Sequence, residues 1–541
     1  MNRKLVLIFL IIILIGIFLR LFLINFIPPG VNLDEASMGY NAYSLFATGL
    51  DRYGKSLPIL FRSLGSFQLP LYTYLSIPPL AIFGPSISAI KLVSVISGIV
   101  AIVTSFFFVL KIKQYDKFQP ALFAAFFVAI SPWAIFFSRT ANEANLGLAL
   151  FSAGILLSLV SLSYPKFFLA SGFILGLAPY AYYAERFTTI LFLSAFCVLF
   201  LKTIRQNIKW AVWGFAIFII LQLPFFTILG SNAGFWRMGQ VNYFSDEFFV
   251  HNGGNFVNVP FGKAFFILRE FMSQYLTYFS PRNLFFDADP QGVRSMPDIS
   301  VFYSWMIIPF FFGLKLLLRQ HHQTFAKILL LLIIILPIPA ALTKDPFYTT
   351  RVLPLLWSFT IIISLGFYRI FVIIKPFILR FSVLSVLVII SFTQLYLSYF
   401  VLLKYERSDS FGLPFLELAR ISQQYSQMNI VVDSTRQPEA YIWLAFFKKY
   451  DPKFFQGQVK PELIEKYYQE TNFQESYKID NMEVRPIVWE KDIYRKQIIV
   501  GDKLAVSDKQ IKEHRLNEEF QIKDLAGDIK LIGYSTNPED K

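Results

Sequence analysis

The chain has 541 residues, of which 55% are hydrophobic and only 16% are charged, and its mean hydropathy is +0.52. Soluble domains average about 25% charged residues, so this composition excludes a purely soluble protein and indicates a polytopic membrane protein with a soluble remainder. Residues 1–400 carry 29 basic and 13 acidic side chains (net +16), and residues 401–541 carry 21 and 23 (net −2). The basic excess therefore belongs to membrane loops and does not indicate nucleic-acid binding.

Several classes of site are also excluded. The sequence contains no P-loop and no Gly-x-Gly-x-x-Gly segment, so a nucleotide-driven pump is not expected. The single cysteine, Cys197, rules out an intramolecular disulfide and lies in an apolar run. The histidines do not form a metal-ligand pattern; they are His251, His321, His322 and His514.

Apolar runs long enough to cross a bilayer recur through the first 400 residues. The first, residues 5–24, has no charge except Arg20. About eleven spans are predicted, at 5–26, 86–110, 118–138, 144–163, 166–181, 187–201, 208–229, 301–318, 325–343, 352–374 and 377–400. The stretch 70–84 is short and broken by prolines, and is predicted to be interfacial or re-entrant.

The charges of the loops orient these spans. If the N-terminus is inside, the inner segments of residues 1–400 together carry 15 Lys and Arg and one acid, Asp116. The other 12 acids of residues 1–400 lie outside. This asymmetry is what the positive-inside rule requires. We therefore expect a multi-pass protein of the plasma (inner) membrane with a cytoplasmic N-terminus. The outer segments are 27–85, 139–143, 182–186, 230–300, 344–351 and the C-terminal region.

Hydropathy falls sharply from about residue 404. Residues 428–433, 496–502 and 529–535 are typical of strands, and 438–449 is typical of a helix. The predicted fold is a polytopic α-helical membrane protein with extracytoplasmic loop helices and a small C-terminal α/β soluble domain. The predicted domains are 1–403 and 404–541.

An acidic pair, Asp34-Glu35, follows the first span and a Pro28-Pro29-Gly30 turn. Two carboxylates at a membrane surface are costly unless they have a use, and one of them is a candidate general base. The alternative is that the pair caps a helix beginning near Ala36, because acids favour a helix N-terminus.

Three other outer loops each place an acid beside an arginine at a span boundary. The pairs are Arg139 with Glu143, Glu185 with Arg186, and Asp345 with Arg351, and the first loop adds Asp51, Arg52, Lys55 and Arg62. Arginine forks bind phosphate oxygens in bidentate fashion, so this pattern favours a phosphate-bearing lipid substrate. The alternative is that the pairs are interfacial salt bridges. Arg20 and Lys91 are expected to extend toward the membrane surface.

Four stretches carry a resemblance to a known family. They are Leu33-Asp34-Glu35-Ala36 with Tyr40-Asn41-Ala42; Ser138-Arg139 with Glu143; Tyr278-Phe279-Ser280-Pro281-Arg282-Asn283-Leu284-Phe285-Phe286-Asp287-Ala288-Asp289-Pro290; and Pro337-Ile338-Pro339-Ala340-Ala341-Leu342-Thr343 with Arg351 and Pro354. Over about residues 1–400 the chain resembles the GT-C superfamily of polyprenyl-phosphate-sugar-dependent glycosyltransferases. It is most similar in style to the bacterial branch related to protein O-mannosyltransferases and the lipid A aminoarabinose transferase.

The resemblance implies an inverting transfer of a sugar from a polyprenyl-phosphate donor to an extracytoplasmic acceptor hydroxyl on protein, lipid or glycan. It implies that Asp34 is the base, that Arg351, with Arg139, stabilises the departing lipid phosphate, and that Glu143 orients the acceptor or an arginine. Glu35 either caps the loop helix or shares the proton network. Further candidates for binding the substrate or the lipid phosphate are Lys55, Arg62, Tyr183 and Arg186.

The chain departs from the family at one phosphate contact. Many relatives have Lys-Pro-Pro-Leu-Tyr after the first loop, where this chain has Gln68-Leu69-Pro70-Leu71-Tyr72. Arg62 or Lys55 is the expected substitute. No cofactor is assigned from the sequence, and the resemblance leaves the use of a divalent metal open.

Other functions remain open from the sequence. A lipid-linked oligosaccharide transporter or flippase would need charges at mid-membrane depth, whereas here they cluster at the outer ends of spans. A membrane scaffold without catalysis would tolerate changes at both Asp34 and Arg351. A ligase or polymerase of lipid-linked glycans is an enzyme alternative within the same chemistry.

Overall fold

A computed structural model describes residues 3–111, 118–471 and 474–538 of the chain, with the side chains of 235–238 left aside. The predicted inner loop 111–118, including Asp116, lies almost wholly outside the described residues. The chain folds as two compact units. The membrane unit comprises Met1–Phe22, Val93–Gly230 and Gly234–Tyr399, and the loop unit comprises Leu23–Leu92, Ser231–Ala233 and Phe400–Lys541.

Among the described residues, seven helices are long and apolar enough to cross a membrane, and a bent pair of helices makes an eighth. They are Arg3–Leu21, Ile87–Leu110, Gln119–Ile130 with Pro132–Arg139, Glu143–Ser161, Ile208–Phe226, Thr324–Ala341, Thr349–Ile373 and Phe377–Glu406. The other three predicted spans form shorter helices, at Phe167–Ala181, Glu185–Leu199 and Ile307–Arg319. The prediction of a polytopic helical membrane protein is confirmed.

The membrane unit also contains short helices, many of them in the large fourth outer loop. They are Leu201–Gln206, Asn232–Val241, Asp246–Asn252, Gly262–Thr277 and Pro281–Phe285. The described part of this loop is thus helical rather than extended.

Helices of the membrane unit pack closely where glycines face a neighbour. A Cβ at Gly313 would collide with the carbonyl oxygen of Ile362, and one at Gly366 would collide with that of Pro309. These contacts lie between Ile307–Arg319 and Leu353–Ile373, whose backbones therefore approach each other directly. Small residues at helix contacts are a recurrent means of packing in membranes.

The loop unit combines the first outer loop with the segment after the last span. The first loop contains the helices Leu33–Thr48 and Pro70–Phe83 and a hairpin of Phe61–Arg62 with Phe67–Gln68. Its contacts with the C-terminal segment are polar as well as apolar. The indole Nε1 of Trp443 donates to the Val31 carbonyl over 2.9 Å, and the Tyr40 hydroxyl donates to the Tyr450 carbonyl over 3.0 Å.

The C-terminal segment builds a six-stranded mixed sheet. Its strands, in spatial order, are Tyr477–Ile479, Met482–Val484, Asn429–Val432, Gln497–Gly501, Ile529–Ser535 and Asn517–Lys523. Asn429–Val432 runs parallel to both of its neighbours, and the other pairings are antiparallel. Helices accompany the sheet at Leu403–Glu406, Leu413–Ile421, Ala440–Phe447, Pro452–Gly457, Pro461–Glu465, Trp489–Asp492 and Asp508–Glu513. The small α/β region was predicted, although three of its strands were not.

Candidate functional site

The acidic pair of the first loop lies in the first turn of the helix Leu33–Thr48. Asn32 is the N-cap: its side chain accepts from the Glu35 N–H over 2.9 Å, and the Glu35 carboxylate accepts from the Asn32 N–H over 2.7 Å. This reciprocal capping box uses the carboxylate of Glu35, which is fully buried. Asp34, one residue earlier, is exposed. The two adjacent acids therefore have different roles, and Asp34 is the one that presents a carboxylate to the surroundings.

The carboxylate of Asp34 accepts a hydrogen bond from Gln68. The Gln68 side-chain Nε2 donates to Asp34 Oδ1 over 3.1 Å. Gln68 lies in the short hairpin of the first loop and is 7% exposed. From the sequence, Gln68 stands only where the resembled family has a phosphate-binding lysine, and its bond to Asp34 was not predicted.

The basic residues of the first loop are engaged within the loop unit. Arg62 is fully buried, and its guanidinium donates to the Leu463 carbonyl over 2.8 Å and lies 5.5 Å from the Tyr53 ring centroid. The Lys55 ammonium lies 5.6 Å from the Tyr468 ring centroid. Both predicted phosphate ligands therefore contact aromatic side chains that support the loop.

Asp51, in the same loop, is buried and accepts a hydrogen bond from the Tyr467 hydroxyl over 2.5 Å. Burial raises the pKa of the Asp51 carboxyl, although the Tyr467 hydroxyl and backbone N–H groups that donate to it oppose the shift. This contact ties the first loop to the C-terminal segment.

In the membrane unit, Arg351 belongs to an unusual stack of side chains. The Arg351 guanidinium lies 3.7 Å from the ring centroid of Tyr348, and that of Arg294 lies 3.5 Å from the same centroid. Two guanidinium groups this close to one centroid would overlap on a single face, so they occupy opposite faces of the ring. The cation–π attraction of each group helps to hold it in place.

Acids and hydroxyls fix the two ends of this stack. Arg351 donates to Asp345 over 3.0 Å and to the Thr343 hydroxyl over 2.5 Å. Arg294 donates to Asp289 over 2.9 Å. Burial opposes the charge of Arg294, but Asp289 beside it raises its pKa overall. Arg294 was not predicted as a site residue, although its partner Asp289 lies in the motif at residues 278–290.

The second and third outer loops approach the same stack. The Tyr182 hydroxyl donates to the Thr350 hydroxyl over 3.3 Å, next to Arg351. Burial raises the pKa of Tyr182. Tyr348 and Arg351 also act on it electrostatically, and so does Glu143, the first residue of the helix Glu143–Ser161. The structure thus brings Glu143 and Arg351, two of the predicted site residues, around Tyr182.

Arg139 is fully buried at the end of the helix Pro132–Arg139. It donates to the Leu19 carbonyl over 2.7 Å, and its guanidinium lies 4.9 Å from the ring centroid of Tyr399. Arg139 therefore lies in the packed interior of the membrane unit.

Arg20 and Lys91 do not extend to the surface as expected, because both are fully buried. Arg20 donates to the carbonyls of Gly16 and Ala129, each over 3.1 Å. Lys91, in the loop unit, donates to the Gly30 carbonyl over 3.1 Å. The expectation was wrong because backbone carbonyls inside the protein can satisfy these cations.

The third outer loop contributes two separate environments. The buried Glu185 carboxylate accepts from the Thr188 hydroxyl over 2.5 Å, within the helix Glu185–Leu199. The Arg186 guanidinium instead lies 4.8 Å from the ring centroid of Tyr183 and 4.3 Å from that of Phe225. Tyr183 and Arg186 therefore form an aromatic–cation contact of their own.

A resident metal centre is not evident in the described ranges. No group of three or more His, Cys, Asp or Glu side chains there is placed to hold an ion.

Comparisons with known proteins establish the fold. No protein-family model matches the sequence, and no curated protein matches it significantly. Among solved structures, ArnT from Cupriavidus metallidurans in the apo state is similar at 12% identity and a TM-score of 0.56, over 99% of this chain and 98% of that one. The same protein bound to undecaprenyl phosphate is similar at 13% identity and a TM-score of 0.55, with the same coverage.

A third similar structure is archaeal. It is the Archaeoglobus fulgidus oligosaccharyltransferase tethered to an acceptor peptide, at 11% identity and a TM-score of 0.52, over 100% of this chain and 74% of that one. At such low identity the likeness concerns the fold, and it extends over nearly the whole chain, including the C-terminal sheet.

Proposed function

We propose, from the GT-C fold that the chain shares with these membrane proteins, that it is an integral-membrane inverting glycosyltransferase. The donor is a sugar on polyprenyl phosphate, and the acceptor is an extracytoplasmic hydroxyl of a protein, lipid or glycan. The observation that carries the proposal is the exposed Asp34, held by Gln68 at the start of the first outer-loop helix, while Glu35 is used in the cap. The exposed carboxylate of the pair, Asp34, is therefore the one that we propose as the base.

The proposed reaction is a single displacement. The acceptor oxygen forms a bond to the anomeric carbon while the bond from that carbon to the phosphate oxygen breaks. The acceptor proton passes to Asp34, and the bonding electrons leave with the polyprenyl phosphate. Attack from the face opposite the leaving group inverts the anomeric configuration.

The departing phosphate gains negative charge, which fixed cations can stabilise. We assign this role to Arg351, which is 8% exposed and is oriented by Tyr348 and Asp345. Arg139, the second cation expected from the sequence, is fully buried and donates to the Leu19 carbonyl, so no phosphate contact is proposed for it. Glu143 is proposed to orient the acceptor or an arginine. Lys55, Arg62, Tyr183 and Arg186 are proposed to support the substrate-binding region through the aromatic contacts described above.

The proposal also concerns location. The charge asymmetry of the loops favours a cytoplasmic N-terminus in the plasma (inner) membrane, with Asp34 and the C-terminal sheet outside. Residues 1–403 are proposed to carry transfer, and 404–541 to form an extracytoplasmic domain that supports the first loop.

The test compares purified full-length protein in lipid with Asp34→Asn. Radiolabelled polyprenyl-phosphate mannose, glucose and arabinose are supplied with an extracytoplasmic membrane extract, in Mg²⁺, in Mn²⁺ and in EDTA. We expect Asp34→Asn to lower transfer by at least about 100-fold, the scale of a general base, without loss of thermal stability. Glu247→Gln, at an exposed acid of the fourth outer loop, is the matched control and should leave transfer unchanged.

Other outcomes separate the alternatives. Near-normal turnover by Asp34→Asn would refute its assignment as the base. Folded protein that moves labelled lipid across vesicles without releasing sugar would identify a flippase. Protein that neither transfers nor moves any donor would support a scaffold.

A further inference from the structure

A chain of three hydrogen bonds leads to Asp34 through the interior of the loop unit. The Arg52 guanidinium donates to the Ser37 hydroxyl over 2.7 Å, and that hydroxyl donates to Gln68 Oε1 over 2.9 Å. Gln68 Nε2 then donates to Asp34 Oδ1 over 3.1 Å. Arg52 and Ser37 are fully buried, and Gln68 is 7% exposed. Water therefore has little access to these hydrogen bonds except at their end, at Asp34.

The buried arginine sets the direction of every bond in this chain. A guanidinium has donors only, so the Ser37 oxygen must accept from Arg52. The Ser63 hydroxyl also lies 3.3 Å from Ser37 Oγ and can donate to it, which leaves the single Ser37 hydrogen for Gln68 Oε1, 2.9 Å away. This orients the Gln68 amide so that its NH₂ group, and not its oxygen, faces the Asp34 carboxylate.

The anchor at the other end of the chain is itself fixed. The Arg52 guanidinium donates to the Arg62 carbonyl over 3.3 Å and lies 4.9 Å from the Tyr53 ring centroid. The Gln68 backbone pairs with Phe61 in the hairpin. The fold of the first loop thus fixes both Arg52, which donates to Ser37, and the backbone of Gln68.

We propose that Gln68 is a positioning residue for Asp34, which orients the carboxylate and favours its ionised form; this rests on the proposed function, in which Asp34 is the base. A hydrogen bond donated to a carboxylate stabilises the charged state. A neutral amide does so without placing a full positive charge beside the base, so it weakens the base less than a lysine ion pair would. Arg52 and Ser37 act through Gln68 by fixing the direction of its amide.

The first test is kinetic and uses the full-length protein in lipid. Gln68→Leu should lower kcat about 10- to 100-fold and change the donor KM by less than about twofold, because the lost bond acts on the base and not on donor binding. Ser37→Ala should lower kcat in the same way but less. Gln424→Leu, the same chemical change at an exposed glutamine of the loop unit, should have no effect.

A double variant shows whether Gln68 acts through Asp34. In an Asp34→Asn background, Gln68→Leu should cause no further loss, since residues that act as a unit are not additive. If Asp34→Asn abolishes transfer but Gln68→Leu retains the wild-type kcat, the positioning role is refuted and the proposed function stands. If Asp34→Asn itself transfers normally, the proposed function fails.

A second measurement does not need activity. A water-soluble carbodiimide adds to protonated carboxyls, and mass spectrometry of the peptide containing Asp34 gives the rate of labelling. We expect Gln68→Leu to label Asp34 several-fold faster than the wild type at one pH, with Gln424→Leu unchanged. An equal rate in wild type and Gln68→Leu, with both proteins melting at the same temperature, would overturn the inference.

Discussion

The two acids of the first loop show how neighbouring residues of one chemical type acquire different roles. Asn32 and Glu35 have the spacing of a capping box, in which the side chain at the third helical position, here Glu35, accepts from the N–H of the N-cap residue. Asp34 occupies the second helical position, and its side chain is exposed. Helix geometry, rather than residue type, therefore decides which carboxylate is exposed.

Tyr348 is expected to be needed for donor binding because its ring holds Arg351 and Arg294. In the transfer assay, Tyr348→Leu should raise the donor KM about tenfold, since both cation–π contacts are lost. Tyr348→Phe retains the ring and should stay within about twofold of the wild type. Equal KM values for the Leu and Phe variants would contradict this role.

Much of the arginine stack could not be read from the sequence. Arg351 was found because it lies at a span boundary beside an acid in a recognisable motif. Arg294 lies in a long loop, and its partner Tyr348 is far along the chain. Only the three-dimensional contact identifies Arg294 as part of the same cluster, since no local pattern links the two positions.

At the scale of secondary-structure elements, the break at Ser131-Pro132 explains why Arg20 is buried. Pro132 has no N–H to donate to the Val128 carbonyl, and the Trp133 N–H donates instead to Val301. The carbonyls of Val128 and Ala129 are thereby left without helical donors, and Arg20 donates to both, over 3.4 and 3.1 Å. Inside a membrane such carbonyls must accept hydrogen bonds from other groups of the protein.

Arg20→Met should therefore destabilise the membrane unit by about 3 kcal/mol or more, because it removes donors from buried carbonyls. Arg20→Lys should lose less, since an ammonium can still donate to one or two of them. The melting temperature in detergent measures the effect. Arg319→Met, at an exposed arginine at the end of the helix Ile307–Arg319, is the control. If Arg20→Met and Arg319→Met have the same melting temperature, water rather than Arg20 donates to the carbonyls at the break in the helix.

The order and position of the spans were largely predictable, because apolar runs and loop charges report the bilayer directly. Three runs form helices of 13 or 15 residues, shorter than a straight span requires. Hydropathy could not show this, because the same apolar stretches include residues that form turns as well as residues that form the helix.

At the scale of the whole molecule, hydropathy predicted a boundary near residue 404, where the spans end. The compact units instead group residues 23–92 with the C-terminal segment. Hydropathy separates membrane from water, but it does not show which segments outside the membrane pack together. Contacts such as that between Trp443 and Val31 join residues more than 400 positions apart.

The orientation of the chain can be measured with single cysteines, because Cys197 is the only native one. In a Cys197→Ser background, Asn258→Cys should react with a membrane-impermeant maleimide in intact cells. Lys166→Cys should react only after the membrane is permeabilised. Both positions are exposed in the structure. The reverse pattern would place Asp34 in the cytoplasm and exclude an extracytoplasmic acceptor.

The long separation within the loop unit has a consequence for biosynthesis. The helix that carries Asp34 is made early, but partners such as Trp443 and Tyr450 leave the ribosome only after all the spans. Contacts between residues so far apart in the sequence form slowly. The first loop should therefore complete its folding late, after membrane insertion. A premature stop codon after Glu406 and before Trp443 would then leave every span intact and still deprive the earliest loop of its support.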